Sequence, residues 1–126
     1  MPKNPLISIV DDDQSIREAM LDLMSSLGFV AKAFPSAEAF LQSDALRTTS
    51  CLIADVQMPG MNGLELLRRL SASGNAVPTI LITAYPTEKV RTQALKAGVI
   101  GYLPKPFSDA ELLGYLNWAL EHRKAS

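Results

Sequence analysis

Four sites along the chain carry side chains with chemistry in them. Asp11-Asp12-Asp13 ends the apolar run Leu6–Val10. Asp55 ends a second run, Cys51–Ala54, three residues before Met58-Pro59-Gly60. Thr83 ends a third, Thr79–Ile82, and Lys105 lies within Pro104-Lys105-Pro106-Phe107. Neighbouring carboxylates repel by up to about 4 kcal/mol per pair at a near-surface dielectric, so the side chains must diverge or share a cation. Mg²⁺ takes oxygen ligands, commonly one or two carboxylates with waters and phosphate oxygens. Asp12 and Asp55 suit direct ligation, with Asp11 acting through water. A carboxylate is also a nucleophile that can become an aspartyl phosphate. Asp55, standing alone, suits that role better than the paired acids. Lys105 would then meet phosphoryl oxygens as a point charge, and Thr83 would hydrogen-bond one of them. This is phosphoryl-transfer chemistry, done mostly by positioning and charge neutralisation.

Each residue taken singly has a plainer explanation. An acid run before a helix can be a cap with dipole-friendly charge. An Asp before a turn, a Thr ending a strand and a Lys between prolines are all ordinary. Their common placement at strand ends makes the case. Leu6–Val10, Phe29–Ala33, Cys51–Ala54, Thr79–Ile82 and Gly101–Leu103 read as five strands. Helical spacing follows over Gln14–Leu27, Ala37–Leu41, Leu64–Leu70, Glu88–Ala97 and Ser108–Arg123, with 44–50 as loop. Asp13 is placed to cap the first helix, and Ser108 with Glu111 has capping-box spacing. Strand and helix in alternation predict an α/β fold, a parallel sheet covered on both faces. Ligands of such sheets bind past the carboxyl ends of the strands.

The chain has 126 residues and is expected to form one domain over 1–126. With 48% hydrophobic residues, 20% charged and a net charge of −1, it reads as globular, without the basic footprint of direct nucleic-acid binding. No apolar run is long enough for a membrane span, and Leu6–Val10 is too short for a signal-peptide core. Cys51, the single cysteine, reads as a core thiol. Together these predict a cytoplasmic protein with no membrane contact. His122 and the following Arg123-Lys124 read as a solvated helix end, and Tyr115 with Trp118 as helix packing.

The motifs "IVDDD", "LIADVQMPGMNGLELL", "ILITAY" and "GYLPKPF", in this order, resemble the receiver domains of two-component response regulators, chemotaxis receivers among them. The resemblance runs from about Ile7 to Leu120. It implies a flavodoxin-like doubly wound sheet of five parallel strands in the order 2-1-3-4-5, which the residues alone do not fix. It implies that Asp55 accepts phosphate from a sensor histidine kinase, a histidine phosphotransfer protein or a small phosphodonor. Asp11 and Asp12 would organise Mg²⁺ with Asp55 and the Gln57 backbone carbonyl. Thr83 and Lys105 would contact the phosphoryl group, and Tyr102 would be the aromatic that moves inward with Thr83. Lys105–Pro106 would be a cis peptide bond, with Pro106 the cis-proline. The responding surface would be the fourth helix, fifth strand and fifth helix, through which a homodimer can form. Gln57 and Tyr85 stand where the family tunes water access to the phosphate.

Two other functions fit parts of the sequence. Asp11-x-Asp13 matches the D-x-D of Mg²⁺-dependent phosphohydrolases with an aspartyl nucleophile, although no substrate-capping insertion is present. A degenerate receiver acting only as a binding module is the third reading, against which all five site residues are in place. The resemblance does not name the output. "PSAEAFL" and "GLELLRRL" are similar to N-terminal receivers of transcriptional regulators, and a stand-alone shuttle stays open.

Overall fold

The computed structural model describes residues 5–75 and 77–122. Its strands are β1 (Leu6–Val10), β2 (Val30–Phe34), β3 (Thr49–Asp55), β4 (Thr79–Thr83) and β5 (Gly101–Pro104). All pairings are parallel, in the order β2-β1-β3-β4-β5. The helices are α1 (Gln14–Ser26), α2 (Ala37–Leu41), α3 (Ala45–Thr48), α4 (Gly63–Ala72), α5 (Glu88–Lys96) and α6 (Asp109–His122).

Strand side chains alternate between two apolar layers, as the period of two in a β-strand requires. Ile7, Ile9, Cys51, Ile53, Ile80, Ile82 and Leu103 pack with Met20 and Met24 of α1 and Leu112, Leu116 and Ala119 of α6. Leu52, Ala54 and Leu81 face the other way, toward Phe40 of α2, Ala45 of α3, Leu66 and Leu70 of α4 and Ala94 of α5. The central strands are covered on both faces, which is why they read as unbroken apolar runs. Cys51 is fully buried, and that burial pushes its thiol up to about 12, so it is an inert core group.

Two expectations change. Residues 44–50 are not all loop: they hold α3 and the start of β3. One turn is too short to show periodicity. It is held by Ala45, buried in the core, and by the Thr49 hydroxyl donating back to the Ala45 carbonyl. The second strand begins at Val30 because the Phe29 N–H closes α1 on the Met24 carbonyl at 2.9 Å. The extra helix also shifts the count, so the expected responding surface comprises α5, β5 and α6. Pro104 lies in edge strand β5, where its missing N–H costs no ladder bond. Tyr115 packs on the core, but Trp118 is 48% exposed. Arg123 and Lys124 lie outside the described residues.

Candidate functional site

The register brings the four strand ends to one place. Val10 pairs with Ala54, which sets Asp11 level with Asp55. Asp55 pairs with Ile82, so Thr83 emerges beside it, and Thr83 pairs with Pro104, which brings up Lys105. Two backbone bonds beyond the ladder fix these ends: Val56 N–H to the Ile82 carbonyl and Lys105 N–H to the Thr83 carbonyl, both 2.8 Å. Asp11, Asp55 and Lys105 continue the alternation of Ile9, Ile53 and Leu103, and they line one small cavity over that layer, with Phe107.

The triplet that ends β1 divides. Asp13 caps α1, its Oδ1 accepting from Ser15 N–H at 2.8 Å and Ile16 N–H at 3.2 Å. Asp11 is buried, and its Oδ1 accepts from Asp13 N–H at 2.9 Å. Asp12 is exposed. Carboxylate oxygens of Asp11, Asp12 and Asp55 lie within 4.8 Å of one another. The D-x-D reading pairs Asp11 with Asp13, whereas here the Asp13 carboxylate is taken up by the helix cap.

Asp55 is itself buried. Its Oδ2 meets Lys105 Nζ at 3.3 Å, and its Oδ1 accepts from Gln57 N–H at 2.9 Å. Burial raises the carboxyl of Asp11 to about 6. The Asp13 N–H opposes that shift, and the nearby Asp55 charge adds to it. Three carboxylates against one ammonium leave the cluster short of positive charge. The donor set is all hard oxygen, which fits Mg²⁺ rather than a thiolate- or imidazole-seeking metal.

Thr83 is buried, and its Oγ1 donates to Gln57 Oε1 at 2.8 Å while accepting from Tyr85 N–H at 3.0 Å. Lys105–Pro106 is cis. Tyr102 packs on the α4–α5 side of the sheet, and its buried hydroxyl has no hydrogen-bond partner among the described residues. Tyr85 is 73% exposed.

Several supporting residues are not singled out by the sequence reading. Asn62 and Glu65 form a reciprocal capping box at the start of α4, with bonds of 2.8 and 2.9 Å. The Asn-x-x-Glu spacing was a usable signal. Arg17 Nη1 donates to the Asp11 carbonyl at 2.8 Å, and Glu38 accepts from Met61 N–H at 3.3 Å. Gly60 turns the chain with φ +73. Gly63 lets α4 start directly against β3, where an added Cβ would stand 2.5 Å from the Asp55 carbonyl oxygen. Gly63→Ala is therefore expected to destabilise the fold by about 2 kcal/mol, lowering Tm by roughly 5–10 °C in a thermal melt.

Comparison with known proteins agrees with this geometry. The sequence profile of the response regulator receiver domain matches residues 7–117. The chain belongs to that family. Receiver domains are phosphorylation-dependent signalling switches, and this one has their fold and their acidic cluster. It is 40% identical over 116 residues to response regulator protein TmoT of Ectopseudomonas mendocina, covering 92% of this chain and 53% of that one. It is 34% identical over 120 residues to transcriptional regulatory protein FixJ of Azorhizobium caulinodans, covering 95% and 57%. This receiver thus spans about half the length of these curated relatives. The crystal structure of FixJ-N superimposes with a TM-score of 0.89 at 33% identity, covering 99% of this chain and 100% of that one.

Proposed function

We propose that Asp55 is the phosphoacceptor and that the switch is set by Mg²⁺-dependent formation of its acyl phosphate. The observation that carries this is the meeting of Asp11, Asp12 and Asp55 within 4.8 Å, with Lys105 on the same Asp55 carboxylate. An Asp55 oxygen attacks phosphorus and the bond from phosphorus to the donor breaks. The donor leaves as a protein histidine, which regains a proton, or as acetate from acetyl phosphate. Asp11, Asp12, Asp55 and the Gln57 carbonyl would hold Mg²⁺, which when bound neutralises phosphoryl charge. Lys105 adds a fixed positive charge. Thr83 supplies a hydroxyl to the product, and Tyr102, whose hydroxyl is already buried, repacks with it, altering the α5–β5–α6 surface. Self-phosphorylation and self-dephosphorylation would be the domain's only catalysis.

The family and its names support the rest of the reading. The donor is a sensor histidine kinase or a phosphotransfer protein, and phosphorylation favours a homodimer through α5, β5 and α6. The place of action is the cytoplasm; among the described residues no helix is long and apolar enough to cross a membrane. Because FixJ is named a transcriptional regulatory protein, we read the output as transcriptional, delivered by a partner or domain other than this one.

The test is to treat the protein with acetyl phosphate and Mg²⁺ and map the acid-stable, base-labile adduct by mass spectrometry. It is expected on Asp55. An adduct on Asp11, or steady turnover of phosphate monoesters, would overturn the assignment. The divided triplet has its own test. Asp12→Ala is expected to weaken Mg²⁺ binding by about tenfold or more, whereas Asp13→Ser, which keeps a cap, leaves it unchanged. Calorimetry reads both. Tyr85→Gly removes the ring from the position where the family tunes water access, and the rate of acyl-phosphate hydrolysis is expected to change. An unchanged rate would remove Tyr85 from control of phosphate lifetime.

A further inference from the structure

The hydroxyl that must reach the phosphoryl group is already engaged elsewhere. A threonine hydroxyl has one proton to donate. In Thr83 that proton goes to Gln57 Oε1, 2.8 Å away, while the oxygen accepts from Tyr85 N–H at 3.0 Å. Among the described residues no hydrogen bond joins Thr83 to Asp55. Gln57 lies two residues past Asp55, and its own N–H holds Asp55 Oδ1 at 2.9 Å. One residue therefore grips the nucleophile through its backbone and the switch hydroxyl through its side chain.

We propose that the Gln57 side chain is a latch on Thr83 that opposes activation. This rests on Asp55 being the phosphoacceptor. For Thr83 to donate to a phosphoryl oxygen it must first release Gln57 Oε1, because it has no second proton. The Thr83–Gln57 bond stabilises the resting state only, so it subtracts from the affinity of the activated state by its own net strength. Gln57 is a positioning residue here. The effect acts through Thr83 and is separate from any screening of Asp55 from water. Gln57 is exposed, so the latch can open without disturbing the core.

Beryllofluoride, which occupies the phosphoryl position on a carboxylate without being hydrolysed, separates the latch from water access. Its affinity would be measured by fluorine NMR at saturating Mg²⁺ for the wild type, Gln57→Met, Thr83→Ala and the double variant. Met matches Gln in length but offers no carbonyl oxygen. Gln57→Met is expected to bind beryllofluoride about two- to tenfold more tightly, the span of one net hydrogen bond. In the Thr83→Ala background the same substitution is expected to change nothing. The Thr83 methyl resonance of ligand-free Gln57→Met should also move toward its beryllofluoride-bound position. Absence of tightening, or equal tightening in both backgrounds, overturns the latch while leaving Asp55 as acceptor. A wild type that binds no beryllofluoride and takes no phosphate on Asp55 overturns the acceptor reading, and the latch with it.

Discussion

Asp55→Asn is expected to take no phosphoryl group from acetyl phosphate under conditions that label the wild type fully. The carboxamide keeps the shape of the side chain but lacks an anionic oxygen to attack phosphorus. It also removes one of three carboxylates that lie within 4.8 Å, so Mg²⁺ affinity falls in the same variant. Unfolding will not mimic this result. The Asp55–Lys105 pair is largely buried, so discharging one partner costs stability, but Asn keeps an oxygen that can accept from Lys105 Nζ and Gln57 N–H. Against that loss stands relief of like charge, since the Asp55 charge helps to raise the Asp11 carboxyl. The metal-free variant should therefore melt at or above the wild-type temperature. Thermal melts and intact-mass spectra of one preparation check both halves. Retained labelling would mean that another carboxylate carries the phosphate.

The parts of this site that can be read in the chain are those set by local or periodic rules. Asp13 as a cap follows from bonds to the residues two and three positions on. The meeting of Asp11, Asp55 and Lys105 follows from parity: each is two residues beyond an apolar residue of the same layer, Ile9, Ile53 and Leu103. A parallel sheet then does the convergence, because all its strands end on one edge. The Gln57–Thr83 bond is of another kind. Its partners are 26 residues apart, and the contact depends on which way a glutamine side chain folds over neighbouring strand ends. No spacing rule encodes that. Tyr102 shows the same limit: its place in β5 is legible, but whether its hydroxyl finds a partner depends on residues from several elements. The strand order is a matter of crossovers, and it enters through the family resemblance rather than through any residue pattern.

The burial of Asp11 has a consequence for stability that runs opposite to that of most acids. Its carboxyl is raised from 3.8 to about 6, chiefly because burial penalises its charge and secondarily because Asp55 is near. Between about pH 4 and 6 the folded protein holds a proton that the unfolded chain has released. The Asp11 contribution is therefore fully present below about pH 4 and is lost as pH rises through about 6. The loss registers as a lower melting temperature at neutral pH than at pH 4.5, over and above the pH dependence of the other groups. Asp11→Asn carries no such charge. The metal-free variant should match the wild type near pH 4 and become the more stable of the two by pH 7.5. Magnesium should narrow that gap in the wild type, because it supplies the positive charge that the cluster lacks. It must displace the Asp11 proton to do so, so its affinity should climb from pH 5 to 7 and then level off. Melts of both proteins at pH 4.5 and 7.5, with and without Mg²⁺, test each step. Parallel pH profiles for wild type and variant would show that Asp11 is charged in the resting fold, and that Lys105 and the neighbouring N–H groups already offset its burial.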